Sequence, residues 1–563
     1  MIDRVPPGAI LLLGSLLVPL LRGRLRQAYM LLLPLAGLAL LAVATPGEYL
    51  QFEMFGYELT PVRIDRLSLV WGYVFHIAAF LSVLFAIRVE GAGEHVAALA
   101  YAGGAIAAAF AGDLVTLFVF WEVTAITSVF LIWASGTERA FRAGIRYLVI
   151  QVGSGVLLLA GALVRVHQTG SADFDHIGLA GAGGLLIFLA FGIKAAFPFL
   201  HNWLQDAYPE ATVTGTVWLS AFTTKLAIYA LARGFAGTEI LVYIGAAMCA
   251  FPIFYAVIEN DLRKVLAYSL NNQLGFMVVG IGIGTEMALN GTAAHAFSHI
   301  IYKGLLFMAM GAILHRVGTV KGSELGGVYK SMPWSAAFCI IGAASISAFP
   351  LFSGFVSKSL VMSASADNHY TVVYLIMLFA SAGVVEHAGV KIPYFGFFGP
   401  DRGIRVKEAP LNMLLAMGLA ALLCVVIGIF PRPLYDILPY SVDYQPYTFD
   451  HVITQLQLLM WAILGVAVLK WYKVYPPELR SVNLDIDVLY RKALPAMWSG
   501  ALRVGGKAWT GVSTRVTRQL TITLETIFRY HGPHGILART WPAGSMALWV
   551  AILLAAVLVV YYL

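Results

Sequence analysis

Residues 113–133 read DLVTLFVFWEVTAITSVFLIW. After Asp113 the run holds one ionisable side chain, Glu122, eleven residues before Trp133. As a helix rising ~1.5 Å per residue, it is long enough to cross a hydrocarbon core of ~30 Å, with Glu122 near the middle. A charged group at that depth costs about 3 kcal/mol or more and persists where it has a partner or a task. Glu122 therefore reads either as part of an ion path or as half of an ion pair that ties two helices together.

The rest of the chain has the same character. It has 563 residues, 60% hydrophobic and 12% charged, with a mean hydropathy of +0.80. Soluble domains average about 25% charged residues, so lipid must be part of the solvent here. Apolar runs recur from residues 8–21 through 453–472, and a last one occupies 544–563. They predict an all-α polytopic membrane protein of about 14 to 16 transmembrane helices. The first run, Gly8 to Leu21, is followed by Arg22, Arg24 and Arg26 without a small-residue cleavage site, and reads as a retained helix rather than a removed leader.

The net charge of +7 would suggest a nucleic-acid partner in a soluble protein. Here the basic residues sit mostly in short loops between apolar runs, where they signal topology. Arg139, Arg142 and Arg146 follow the fifth run, and Arg263 and Lys264 follow the ninth. By the positive-inside rule these loops are cytoplasmic and the N-terminus lies outside. Arg63 and Arg66, in the second loop, run against that assignment. The three cysteines, Cys249, Cys339 and Cys424, are far apart in apolar stretches and form no CxxC, which excludes a four-cysteine zinc or iron–sulfur site within the chain.

Four further places put ionisable residues at depth. Lys194 stands in FGIKAAFPFLHNW, four residues before Pro198. Proline removes a backbone donor, and interrupted helices offer free carbonyls and helix ends to a cavity. Lys225 lies well inside TVWLSAFTTKLAIYALARGF. His295, His299 and Lys303, in HAFSHIIYK, share one helical face at four-residue spacing. Two such histidines could bind a metal, but no third ligand is visible and Lys303 would repel a cation, so no metal and no cofactor is expected and a proton relay is the sharper reading. Lys358 ends SISAFPLFSGFVSK, where Pro350 and Gly354 interrupt a second run. A GxGxG stretch near Gly280 lies in an apolar run, not at a strand-to-helix turn, and is no dinucleotide site.

Read together, the motifs GIKAAFPFLHNWLQDAYPEA, TKLAIYAL, HAFSHIIYKGLLF and SAFPLFSGFVSK, with the Trp121–Glu122 pair, resemble the antiporter-like subunits shared by Mrp-type multisubunit Na⁺/H⁺ antiporters and the proton-pumping membrane subunits of respiratory complex I. The resemblance covers about residues 60 to 365. It implies two inverted five-helix repeats with two discontinuous helices. It also implies that Glu122 pairs with Lys194, that Lys225 is the connecting lysine before the His295/His299/Lys303 helix, and that Lys358 is the terminal lysine. The family often has WLPDAH where this chain has WLQDAY, residues 203–208, which puts that loop's geometry in doubt. The VEHAGVKIPYF segment, residues 385–395, resembles the D-type component of Mrp antiporters, whereas the basic tail resembles the lateral helix of the largest complex I pump subunit.

The expected organisation is N-terminal transmembrane helices over 1–94, a proton-translocating core over 95–365, C-terminal transmembrane helices over 366–475, and a basic amphipathic segment with a final anchor over 476–563. The tail's basic residues include Arg480, Arg491, Lys492, Arg503 and Lys507. The expected function is that of a membrane subunit of a monovalent cation/proton antiporter, working through Glu122, Lys194, Lys225, His295, His299, Lys303 and Lys358. The alternatives are a proton-pumping subunit of an NADH–quinone or related redox complex, and a membrane partner in inorganic-carbon uptake. Other membrane subunits of such a complex are the expected partners, with protons and Na⁺ as the ions, the cell inner membrane as the site, and no nucleic acid.

Overall fold

The computed structural model describes residues 5–54, 56–479, 483–540 and 542–563, and Arg480 lies outside them. The chain divides into two compact units, one reaching Asn483 and one from Leu484 to Leu563. Among the described residues, ten helices are long and apolar enough to cross a membrane. Among the described residues, strands form two short antiparallel pairs near the N-terminus, Gly47–Tyr49 with Val62–Ile64 and Phe52–Met54 with Tyr57–Leu59. This is a multi-pass, all-α membrane protein.

Polar caps set the helix starts. Asp113 accepts from the Thr116 amide at 2.7 Å and opens the Glu122 helix, Leu114–Trp133. Thr285 does the same for the His295 helix, Glu286–Val317, and Asp261 for the helix Leu262–Ile283. Each cap satisfies an amide that the first helical turn leaves without a partner. The His295 helix runs through the middle of the bundle, with 94% of its most apolar stretch buried by protein. Glycine lets other helices approach closely: a Cβ at Gly245 or Gly275 would press on the backbone of the facing helix, so Ile240–Ile258 and Leu262–Ile283 pack backbone to backbone.

Two helices are interrupted. The first runs from Gly181 to Lys194 and resumes at Asn202–Ala207; the second runs from Pro333 to Ile346 and resumes at Ser353–Asp367. Their breaks share one backbone. Ala196-Phe197-Pro198-Phe199 and Ala348-Phe349-Pro350-Leu351 both place the alanine and the last residue at positive φ. The Ala196 and Phe197 amides bond back to Ile193 and Gly192, as those of Ala348 and Phe349 do to Ser345 and Ala344. The helices run in opposite directions. The first starts beside the Ile177–Gly234 contact and heads for Glu210, which meets Ser135 at the C-terminal end of the Glu122 helix. The second starts beside Arg316 and Glu408, at that same basic-loop end, and heads away from it.

Two apolar runs differ from their sequence reading. The stretch 213–235 is split into Gly215–Ala221 and Thr223–Gly234, although no proline or glycine marks the break at Phe222. A second run, 371–385 by its apolar residues alone, continues to Phe398 through two π-helical segments, carrying Glu386, His387 and Lys391 into the bundle. Charged residues close to its end made the run look finished. In the second unit, a helix spans Leu494–His531 with no buried residue, and an apolar helix spans Ala543–Tyr562.

Candidate functional site

Glu122 sits midway along its helix, and its carboxylate lies against Gly155. Gly155, on the neighbouring helix Glu138–Thr169, makes the space for it, since a Cβ there would overlap the carboxylate. Glu122 Oε1 is buried and makes no hydrogen bond. Lys194 is the charge that acts on Glu122, and the two are electrostatically linked. Its ammonium group nevertheless donates to the Trp121 carbonyl at 2.7 Å and the Thr124 hydroxyl at 3.0 Å, and lies 4.2 Å from the Trp121 ring centroid. Lys194 is the last residue before its helix breaks, so the side chain leaves a frayed end rather than a regular helix face.

Lys225 also stands beside a break. Its ammonium donates to the Ser220 carbonyl at 2.6 Å, an acceptor left free where the helix splits at Phe222. The Lys225 charge reaches His295, His299 and Lys303, and that of Lys358 reaches both histidines. These five residues therefore form one buried cluster, with Lys194 and Glu122 a coupled pair on the other side of the Ala196 break. The His295 and His299 rings lie 6.1 Å apart, and Tyr302 fills the wedge between them, 5.2 Å from His299. Lys358 donates to the Ile346 carbonyl at 3.4 Å across the second break and lies 4.8 Å from the Phe276 ring centroid.

Neutral amides that the sequence reading passed over connect the cluster. Gln273 Oε1 faces His295 Nε2 at 3.2 Å and accepts the Tyr302 hydroxyl at 3.2 Å, while its amide donates to Asn272 at 2.6 Å. Asn271 donates to the Ala196 carbonyl at 2.7 Å, joining this helix to the first break. The visible signal was Asn271-Asn272-Gln273, three amides in a row inside an apolar run. Both His299 nitrogens, the Lys303 ammonium and the Thr224, Ser269 and Ser298 hydroxyls are buried without a hydrogen-bond partner. Buried polar groups are nearly always satisfied, so these are the side chains at which ordered water is expected.

Outside the membrane-spanning part, fixed ion pairs close both ends. Arg233 grips both Asp65 oxygens, at 2.9 and 2.7 Å. Burial alone would raise the Asp65 carboxyl; Arg233 and Ser68 hold it below the usual carboxylate range. At the basic-loop end Arg146 pairs with Asp206 at 2.7 Å and Arg139 with Glu210 at 2.6 Å.

Residues 111–383 match the family described as NADH:quinone oxidoreductase/Mrp antiporter, transmembrane. Over that stretch, just under half of its length, the chain carries the membrane region of these antiporter-like subunits. It is 29% identical over 443 residues to hydrogenase-4 component B of Escherichia coli, covering 70% of this chain and 65% of that one. It thus spans just under two thirds of that relative's length. It is 28% identical over 368 residues to the D-type Na⁺/H⁺ antiporter subunit of Alkalihalophilus pseudofirmus, covering 61% of this chain and 73% of that one. A chain in the structure of the membrane-bound sulfane sulfur reductase, an archaeal respiratory membrane complex, shares the fold, with a TM-score of 0.71, 22% identity, and coverage of 99% of this chain and 100% of that one.

Proposed function

We propose that this subunit carries protons along the buried row from Glu122 and Lys194 through Lys225, His295, His299 and Lys303 to Lys358, within a multisubunit complex that exchanges them for a monovalent cation such as Na⁺. One observation carries the reading: buried lysines and histidines whose charges act on one another, several of them with no protein partner. A static ion-pair network would match each cation with an anion; among the described residues, the charges that act on His295, His299 and Lys303 are all those of lysines and histidines. The basic-loop end is taken as cytoplasmic and the N-terminus as outside, on the weight of Arg139, Arg142, Arg146, Arg263 and Lys264.

The second reading is a proton pump driven by a redox partner. It is favoured by the hydrogenase-4 relative and by the respiratory-complex fold that covers the whole chain, tail included. Both readings use the same row. In the assembled complex reconstituted into vesicles, proton movement driven by a Na⁺ gradient alone supports antiport. Movement that needs an electron donor supports the pump.

The row itself is tested by Lys225→Arg and Lys358→Arg. A relaying lysine must give up its proton in each cycle, whereas arginine stays charged at any accessible pH. Both variants are expected to assemble with unchanged thermal stability and to lose at least nine tenths of proton transport. Near-normal transport in either stable variant means that lysine holds helices together and does not pass protons.

A further inference from the structure

The helix that begins at Thr371 carries ionisable residues that the row does not use. Beyond Val384 it passes through π-helical Val385–Val390, one α-helical turn at Lys391–Pro393, and π-helical Tyr394–Phe398. π segments are rare and recur at functional sites, because the widened turn re-aims side chains and frees backbone groups. Here they present Glu386, His387 and Lys391 to the protein interior.

His387 is fully buried, and the one hydrogen-bonding group that acts on its ring is the Gly383 carbonyl, one turn back on its own helix. The charges that reach its ring are those of Lys303, Lys391 and Lys358. Two residues further on, Gly389 lies against the Ser347 side chain so closely that a Cβ would overlap its hydroxyl, which itself has no partner. Ser347 opens the second helix break, next to the Ile346 carbonyl that takes the Lys358 ammonium. The π segment therefore starts where the row ends.

From there, ionisable groups continue to the surface. The Tyr475 hydroxyl donates to Glu386 Oε1 at 2.5 Å, while Glu386 Oε2 is buried without a partner. Lys391 donates to the carbonyls of Val257 at 2.6 Å and Glu259 at 2.8 Å, and pairs with Glu478 at 2.9 Å. The Glu259 carboxylate pairs with Lys264 at 3.0 Å, and the Lys264 side chain is 31% exposed at the basic-loop end. A clamp holding the segment after Trp471 onto the bundle would need only the Lys391–Glu478 pair. It gives no reason for a buried histidine set among the charges of three lysines, nor for a carboxylate using one oxygen.

We propose that His387, Glu386 and the Lys391–Glu478 pair form a second proton passage, joining the Lys303/Lys358 end of the row to the surface at Lys264. The proposal rests on the row being a proton path. One His387 nitrogen takes up a proton from water on the Glu386 side, and the other releases one toward Ser347 and Lys358. Proton and charge pass together and no bond other than N–H or O–H changes.

The test uses the assembled complex in vesicles. His387→Leu, which dries the passage, and Glu386→Gln, which keeps its shape, are each expected to lower proton transport at least tenfold with assembly and melting temperature intact. On a background with Cys249, Cys339 and Cys424 replaced by alanine, His387→Cys is expected to react with 2-aminoethyl methanethiosulfonate added on the basic-loop side. The proposal is overturned if an assembled Glu386→Gln or His387→Leu complex transports within twofold of wild type, or if the thiol does not react. If His387→Leu cannot assemble, the isosteric Glu386→Gln decides. Lys225→Arg, measured alongside, separates the two readings. If it is inactive while Glu386→Gln is normal, the branch fails alone. If Lys225→Arg is also normal, the row fails, and the branch with it.

Discussion

An alanine at Gly155 would place a methyl carbon 2.5 Å from the carboxyl carbon of Glu122 and in overlap with its Oε1. Ordinary van der Waals contact begins at 3.4 Å, so the carboxyl carbon has to retreat by at least 3.4 minus 2.5, or 0.9 Å, and the overlapping Oε1 by more. It is the far end of a flexible side chain, and so the retreat costs little in stability. Alanine also gains about 0.5–1 kcal/mol over glycine inside a helix. The fold should therefore tolerate the change or melt slightly higher. The path should not, because misplacing a working group by about 1 Å costs on the order of 100-fold in rate. Gly155→Ala is expected to assemble normally and to lose about that factor in proton transport, read with a pH-sensitive dye in vesicles. Adding Glu122→Asp shortens the acid by one methylene and draws it back toward its own helix, so the double variant should outperform Gly155→Ala alone. Wild-type transport by the assembled single variant would refute the idea that Glu122 must occupy this position.

Gly354→Ala should act the opposite way. Its Cβ would run into the Ser345 carbonyl, a backbone atom that cannot swing aside, so a loss of about 1–3 kcal/mol and a lower melting temperature are expected despite the better helix former. Side-chain hydrogen bonds from Arg405 and Lys330 hold the Asp401 carboxyl far below the usual carboxylate range. A lowered folded-state value stabilises the fold above the unfolded value near ~3.9 and is lost as pH falls; melting temperature should thus drop on acidification below about pH 4, less so in Asp401→Asn. Deleting residues 489–563 should leave the remaining helices folded, by circular dichroism in detergent, but abolish co-purification with partner subunits. Retained co-purification would show that the exposed Leu494–His531 helix is not a tether.

The parts of this molecule that were legible in the sequence are those where a charge interrupts an apolar run. Glu122, Lys194, Lys225, His295, His299, Lys303 and Lys358 stand out because lipid makes charge conspicuous, and Pro198 and Pro350 mark the two breaks. The repeat was hidden for a different reason. Ala196–Phe199 and Ala348–Leu351 share a conformation within only a few residues, and their helices run in opposite directions, so no long alignment forms. The Phe222 break has no helix-breaking residue; tertiary packing and the Lys225 ammonium on the Ser220 carbonyl hold it. Gln273 and Asn271 escaped notice because a neutral amide barely alters hydropathy, although it decides which way His295 and the Ala196 carbonyl are bonded. Glu386, His387 and Lys391 looked like the end of a span, since a π segment has no periodicity by which to recognise it.

The shelter of the His295 helix has a consequence for how the chain reaches its membrane. Most of that helix faces protein, and its middle carries His295, His299 and Lys303. Presented singly to lipid, a central lysine alone costs about 3 kcal/mol. The helix is therefore a poor candidate for leaving the insertion machinery alone. Leu262–Ile283, before it in the chain, and Ser353–Asp367, after the helix Pro333–Ile346, supply Gln273 and Ser357 to His295 and need to arrive with it. Biogenesis would then proceed by release of a preassembled group of helices, and mutations at Gln273 or Ser357 would show first as chains degraded during synthesis.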